Sequence, residues 1–147
     1  MAFAGLGASG HVASDACHKF FRLGIPCSTL TNTPKILQFA AIAQLGDVLV
    51  ITSHTGRWPA LSRAASLARE TGAVVIALTD PASTLANEAD ILFACNAIED
   101  TSVYTPMSSR LAQLALFDAL HVSLALSLGD AAVDMLRNSK TALQECR

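Results

Sequence analysis

Asp47-Val48-Leu49-Val50-Ile51-Thr52-Ser53-His54-Thr55-Gly56-Arg57 is the stretch that decides the fold. Its first half, Asp47 to Thr52, reads as a buried strand. A helical pattern follows from Pro59 to about Thr71. Two hydroxyls, a glycine and an arginine therefore stand where a strand hands over to a helix. In parallel α/β sheets that junction is where ligands bind, and free backbone N–H groups and the helix dipole favour an anion there. A second junction of the same kind opens the chain, Phe3-Ala4-Gly5-Leu6-Gly7-Ala8-Ser9-Gly10. Two Ser- and Gly-bearing turns in one small domain point to a phosphorylated small molecule held between them.

Working outward, strand and helix signals alternate along the chain. Strands are expected at Ala2–Leu6, Ile25–Leu30, Val48–Thr52, Ala73–Leu78 and Asp90–Cys95. Helices are expected at His11–Leu23, Lys35–Leu45, Ala60–Thr71 and, in a short form, from Thr79-Asp80-Pro81 to about Asn87. Gly24, Gly46 and Gly72 supply the helix stops. After residue 95 no strand signal follows. A loop to Pro106 leads into a long apolar helix, Met107–Leu128, and a more polar helix, Ala131–Gln144. Alternation of this kind predicts an α/β three-layer α/β/α sandwich on a five-stranded parallel sheet. The order 2-1-3-4-5 is the commonest for five strands. Its switch point lies between strands 1 and 3, and the two serine turns follow those same strands.

With 147 residues the chain is expected to form one domain over 1–147. Hydrophobic residues make up 52% and charged residues 15%, well below the quarter usual in soluble domains. The excess is largely Ala, which suits close helix packing or a face hidden in an oligomer. The net charge of −2 offers no basic footprint for nucleic acid. The four cysteines, at 17, 27, 95 and 146, match no CxxC or zinc spacing, so no metal is expected. Cys27 and Cys95 are expected in the core, as is Cys17 unless its thiol is reactive. Such cysteine usage predicts a reduced, cytoplasmic protein. Met1-Ala2-Phe3-Ala4 lacks a basic leader region, so no signal peptide is expected. The apolar stretch Leu111 to Leu128 carries Gln113, Asp118 and His121. It is read as a helix buried on most sides rather than a membrane span.

Gly5-x-Gly7-x-x-Gly10 matches the dinucleotide fingerprint, but the acidic residue expected about 20 positions on is missing from Ser28-Thr29-Leu30-Thr31-Asn32. No GK[ST] phosphate loop is present either, and no cofactor is expected. What remains is a tight turn presenting Ser9 and Gly10 at a helix N-terminus, where Ser9 either meets the ligand or caps the helix. In the second turn Ser53 and Thr55 supply O–H donors, and Gly56 lets the backbone approach the ligand. Arg57 adds a charge-assisted contact, or points to solvent or a partner subunit.

These two turns resemble the two signatures of the sugar isomerase (SIS) domain, and the resemblance covers nearly the whole chain. It implies the sandwich described above, with a phosphosugar bound by both turns, usually at a dimer interface. His18-Lys19-Phe20-Phe21 and Glu99-Asp100-Thr101-x-x-Tyr104-x-Pro106-Met107-x-Ser109-Arg110 further resemble the effector domain of RpiR-type transcriptional regulators. That resemblance implies a phosphorylated sugar or sugar acid as ligand, such as 2-keto-3-deoxy-6-phosphogluconate. By this resemblance Ser9 and Ser53 lead as phosphate contacts, followed by Thr55 and the backbone around His54 and Gly56; Gly10 and Arg57 of the same turns, and Glu99 at the pocket side after strand 5, complete the expected ligand contacts. It also implies a homodimer or higher homo-oligomer. DNA contact would come only through an N-terminal helix-turn-helix domain, which this sequence does not contain. In some relatives the regulator is fused to a sugar kinase. One departure stands out: the family usually has Thr after Arg57, and this chain has Trp58, its only Trp.

The rival readings are a phosphosugar isomerase and a plain dimerisation module. Isomerisation needs a general base near C1 or C2 of the sugar, for which Glu99, His18, His54 and Asp100 are the candidates. Arabinose-phosphate isomerases of this fold usually carry Lys in the first turn and His-Gly-Asp/Glu after strand 2. Here Ala8 and Asn32-Thr33-Pro34 stand instead. No catalytic residue is assigned on this reading, and a sensor is favoured.

Overall fold

In a computed structural model, which describes residues 1–98, 100 and 107–144, five strands form one parallel sheet. They are β1 (Ala2–Ala4), β2 (Ser28–Leu30), β3 (Val48–Thr52), β4 (Val74–Thr79) and β5 (Ile91–Ala94). Their order is β2-β1-β3-β4-β5, as expected. Phe3 pairs with Thr29 on one side and Val50 on the other, Ile51 pairs with Ala77, and Leu78 with Phe93. The helices are α1 (Ala8–Phe21), α2 (Thr33–Ile42), α3 (Pro59–Glu70), α4 (Thr84–Asn87), α5 (Ser108–Leu128) and α6 (Asp130–Gln144).

The two faces of the sheet follow from side-chain alternation along each strand. Ala2, Ala4, Leu49, Ile51, Val75 and Ala77 point to the layer that holds α2 and α3. Leu61, Ala64, Ala65 and Ala68 of α3 are buried in that layer, where small side chains let the helix lie close to the sheet. Phe3, Val50 and Leu78 point the other way, to α1 and α5. There Phe3 packs on Phe20 and Phe117 with ring centroids 5.2 and 5.9 Å apart.

Element limits differ from expectation where local chemistry intervenes. β2 begins at Ser28 rather than Ile25, because β1 offers only Ala2–Ala4 for pairing and Pro26 has no N–H to give. α4 begins at Thr84 rather than near Thr79. The Asp80 carboxylate takes the Ala82 N–H at 2.9 Å, holding a turn, and the Ser83 hydroxyl caps the helix by accepting from Ala86 N–H at 3.1 Å.

The larger correction concerns α5, which is not buried on most sides within one chain. Ser109, Gln113 and Phe117 are its buried residues, a single stripe at helical spacing. Leu111, Val122 and Leu126 are exposed, the last at 77%. Among the described residues no further layer covers that face. By length and mean hydropathy (21 residues, 1.6) α5 is long and apolar enough to cross a membrane. It nonetheless lies on the sheet as a layer of the sandwich. It is tied to α1 through Asp118 and Lys19, and Lys19 also pairs with Asp15 at 2.6 Å.

Candidate functional site

The ends of β1 and β3 lie side by side, so the turns that leave them open onto one cavity of about 330 Å³. Leu6, Ala8, Ser9, Ser53, His54, Thr55 and Trp58 line it. Each serine turn is held differently. Ser53 is buried; its N–H donates to Leu78 O at 3.0 Å, extending the β3–β4 ladder by one bond. Its hydroxyl oxygen accepts the Gly56 N–H at 3.2 Å, which folds the turn and leaves the hydroxyl proton free to donate.

Gly56 has φ 58°, and a Cβ there would fall 2.3 Å from Ser83 Oγ and 2.4 Å from Thr79 Oγ1. The glycine is thus required by the β4–α4 loop pressing on it from behind. Sequence reasoning assigned it to ligand approach and missed Thr79 and Ser83. The Gly56 carbonyl also accepts from Leu85 N–H at 3.2 Å and Thr84 Oγ1 at 3.1 Å, and His54 O accepts from Asp80 N–H at 3.3 Å. The Ser83 cap was the one sequence signal that could have revealed this bracing.

At the first turn the helix cap is Gly7, with no side-chain cap bond. Ser9 sits inside the first turn of α1 and lines the cavity, so capping is not its role. Among the described residues its hydroxyl and that of Thr55 have no hydrogen-bond partner, and no backbone carbonyl takes the N–H groups of Ala8 and Ser9. These are the orphan donors of a helix start, at its positive end. Gly10 lies behind the cavity wall, where its N–H donates to Gly7 O at 3.0 Å and a Cβ would meet Thr31 Cγ2 at 3.4 Å. α3 contributes fewer donors than α1: Pro59, its first residue, lacks an N–H, and Leu61 N–H turns back to Trp58 O at 3.0 Å. Trp58, 60% exposed, stands at that helix start as a cavity wall without a cap bond.

A second cavity of about 370 Å³ shares His54 and Thr55 and adds Arg57, Asp80 and Asn96. Arg57 belongs to this neighbour rather than to the first cavity; it is exposed, and makes no ion pair among the described residues. His54 faces both cavities, and its Nδ1 is buried without a partner. His18 lies exposed on α1 and lines neither cavity, and the same two walls lack Asp100. Glu99 lies outside the described residues. Among the described residues no three His, Cys, Asp or Glu side chains cluster as a metal site.

A three-layer sandwich with paired serine turns at its switch point is the fold that the two sequence motifs imply, and the family comparison agrees. Residues 1–123 match the SIS domain, and the chain belongs to that family. Its sequence is 44% identical to the HTH-type transcriptional regulator HexR of Escherichia coli K12, over 100% of this chain and 51% of that protein. It is 38% identical to the bifunctional protein glk of Paraburkholderia xenovorans, over 97% of this chain and 22% of that protein. The chain thus spans about half the length of HexR and about a fifth of the larger relative. Among solved structures, Vibrio vulnificus NanR complexed with ManNAc-6P superposes with a TM-score of 0.89 at 21% identity, over 99% of this chain and 56% of that one.

Proposed function

We propose that this domain is the effector sensor of a HexR-like transcriptional regulator and binds a phosphorylated sugar or sugar acid, of which 2-keto-3-deoxy-6-phosphogluconate is the leading candidate. One observation carries the reading: Ser9, Ser53 and Thr55 converge on a single cavity with hydroxyl protons free to donate, beside the uncapped N-terminus of α1. Neutral O–H and N–H donors at a helix start hold a phosphate by charge-assisted bonds. Kinship with HexR, and NanR's complex with a sugar phosphate, support the same assignment.

The phosphate sits between the two serine turns, under Trp58. The rest of the ligand passes His54 and Thr55 toward Arg57, which meets a carboxylate at the far end of a sugar acid. Binding occurs in the cytoplasm, in a homodimer or higher homo-oligomer closed through the exposed side of α5. The signal passes to DNA through a helix-turn-helix domain elsewhere in the full regulator. No step makes or breaks a bond in the ligand. The absence of the first-turn Lys and of the His-Gly segment after β2 supports a sensor over an isomerase.

Incubating the domain with 2-keto-3-deoxy-6-phosphogluconate, glucose 6-phosphate and arabinose 5-phosphate tests this, with phosphorus and carbon NMR as readout. A concentration-dependent rise in melting temperature with each binding ligand recovered unchanged is expected. Conversion of any of the three to its aldose or ketose isomer would move the assignment to an enzyme.

A further inference from the structure

At the end of the sheet opposite the serine turns, Cys17 of α1 faces Cys27, the residue that leads into β2. Their Sγ atoms are 3.5 Å apart, and the Cys27 thiol donates to Cys17 O at 3.2 Å. Both residues are half-buried, so a small oxidant reaches them, whereas Cys95 is buried. Ten residues separate the two positions, and no sequence motif announces the pair; the α1–β2 connection brings them together.

We infer that Cys17 and Cys27 are a modification site, a dithiol that a low-molecular-weight disulfide such as oxidised glutathione converts to a reversible intrachain disulfide. The sulfurs need to close only from contact distance to a bond of about 2.05 Å.

The exchange balances as two successive displacements. The Cys17 thiolate attacks one sulfur of the oxidised glutathione and expels glutathione thiolate, which takes up the proton Cys17 lost. The Cys27 sulfur then attacks Sγ of Cys17, loses its proton and expels the second glutathione. The protein pair loses two electrons and two protons, and oxidised glutathione gains them as two thiols.

The order follows from surroundings. Burial first, then the hydrogen bond and charge of Cys17, push the Cys27 thiol up to about 11, so Cys27 is a poor first attacker. Two of those three causes are Cys17 itself, and they lapse once Cys17 is capped by glutathione.

The bond staples α1 to β2, a three-residue edge strand held on one side only. Ser9 lies at the other end of α1, so the phosphate cavity is left in place. In reducing cytoplasm a pair of this kind is characteristically transient.

The test uses the whole chain with Cys95→Ala and Cys146→Ser, equilibrated in glutathione buffers of graded oxidised-to-reduced ratio. The expected product is a single chain with no intermolecular disulfide, lighter by two hydrogens and carrying a Cys17–Cys27 peptide link, and dithiothreitol reverses it. Cys17→Ser and Cys27→Ser each abolish the product. Oxidised chain is expected to melt at a higher temperature than reduced chain, since the bond closes a loop in the unfolded chain and so lowers its entropy. Persistent glutathione adducts, intermolecular links, a bond formed only after denaturation, or a lower melting temperature on oxidation would each overturn the inference.

Discussion

Each candidate binding residue makes a separately measurable contribution. Ser9 donates into the cavity with no competing partner, so Ser9→Ala removes a charge-assisted hydrogen bond worth about 1.5–3 kcal/mol. The dissociation constant for a phosphosugar should rise roughly 10- to 150-fold in calorimetry, with an unchanged melting temperature in the free protein. Ser53→Ala should match that loss in binding and also lower stability, because the Gly56 N–H loses its acceptor. Gly56→Ala places a methyl into Ser83 and Thr79 at positive φ. It should cost at least about 2 kcal/mol in urea unfolding. Arg57→Gln should weaken a sugar-acid phosphate by about tenfold more than glucose 6-phosphate, which has no carboxylate; equal losses would place the guanidinium at the phosphate instead. The hydroxyls of this site were legible in the sequence because a strand-to-helix turn exposes what it carries. The bracing by Thr79, Ser83 and Thr84 was not, because it joins segments more than twenty residues apart. The same distance hid the purpose of Gly56.

At the scale of elements, α5 divides into a stripe that holds the domain together and a face that none of the described residues covers. Phe117 packs edge-on against Phe3 and is fully buried. Phe117→Ala should cost about 3–5 kcal/mol by denaturant unfolding. Asp118 and Lys19 join α5 to α1 near the surface, where such a pair contributes about 0–1 kcal/mol. Asp118→Asn should therefore leave the unfolding midpoint almost unmoved. The strand order and both helical layers could be read from the chain, since alternation of apolar runs and glycine stops is local information. The burial of α5 could not. Hydropathy reports how much apolar surface must be covered, not whether the same chain covers it. Leu126, in the uncovered face, carries the test: Leu126→Glu should shift sedimentation from an assembled species to monomer while preserving the monomer's helical circular dichroism. Sedimentation of the unchanged chain as a monomer at tens of micromolar would remove the assembly from the account.

At the scale of the whole molecule, the proposed phosphate cleft lies at the top of the sheet and the proposed oligomer contact along α5. A ligand bound against α1 touches the helix that Lys19 and Phe20 connect to α5. On the proposed function, occupancy of the cleft and the arrangement of protomers would be linked through this helix pair, since a ligand with different affinity for two arrangements shifts their populations. Neither Trp58 nor the second cavity alters that logic; they bear on which sugar fits. The proposed phosphate site carries the functional reading. Its most direct test is calorimetric titration of the domain with 2-keto-3-deoxy-6-phosphogluconate in phosphate-free buffer, beside the Ser9→Ala/Ser53→Ala double variant. Micromolar binding that the double variant loses, while keeping its fold, is the predicted result. Absence of binding, or equal binding by the double variant, would contradict it.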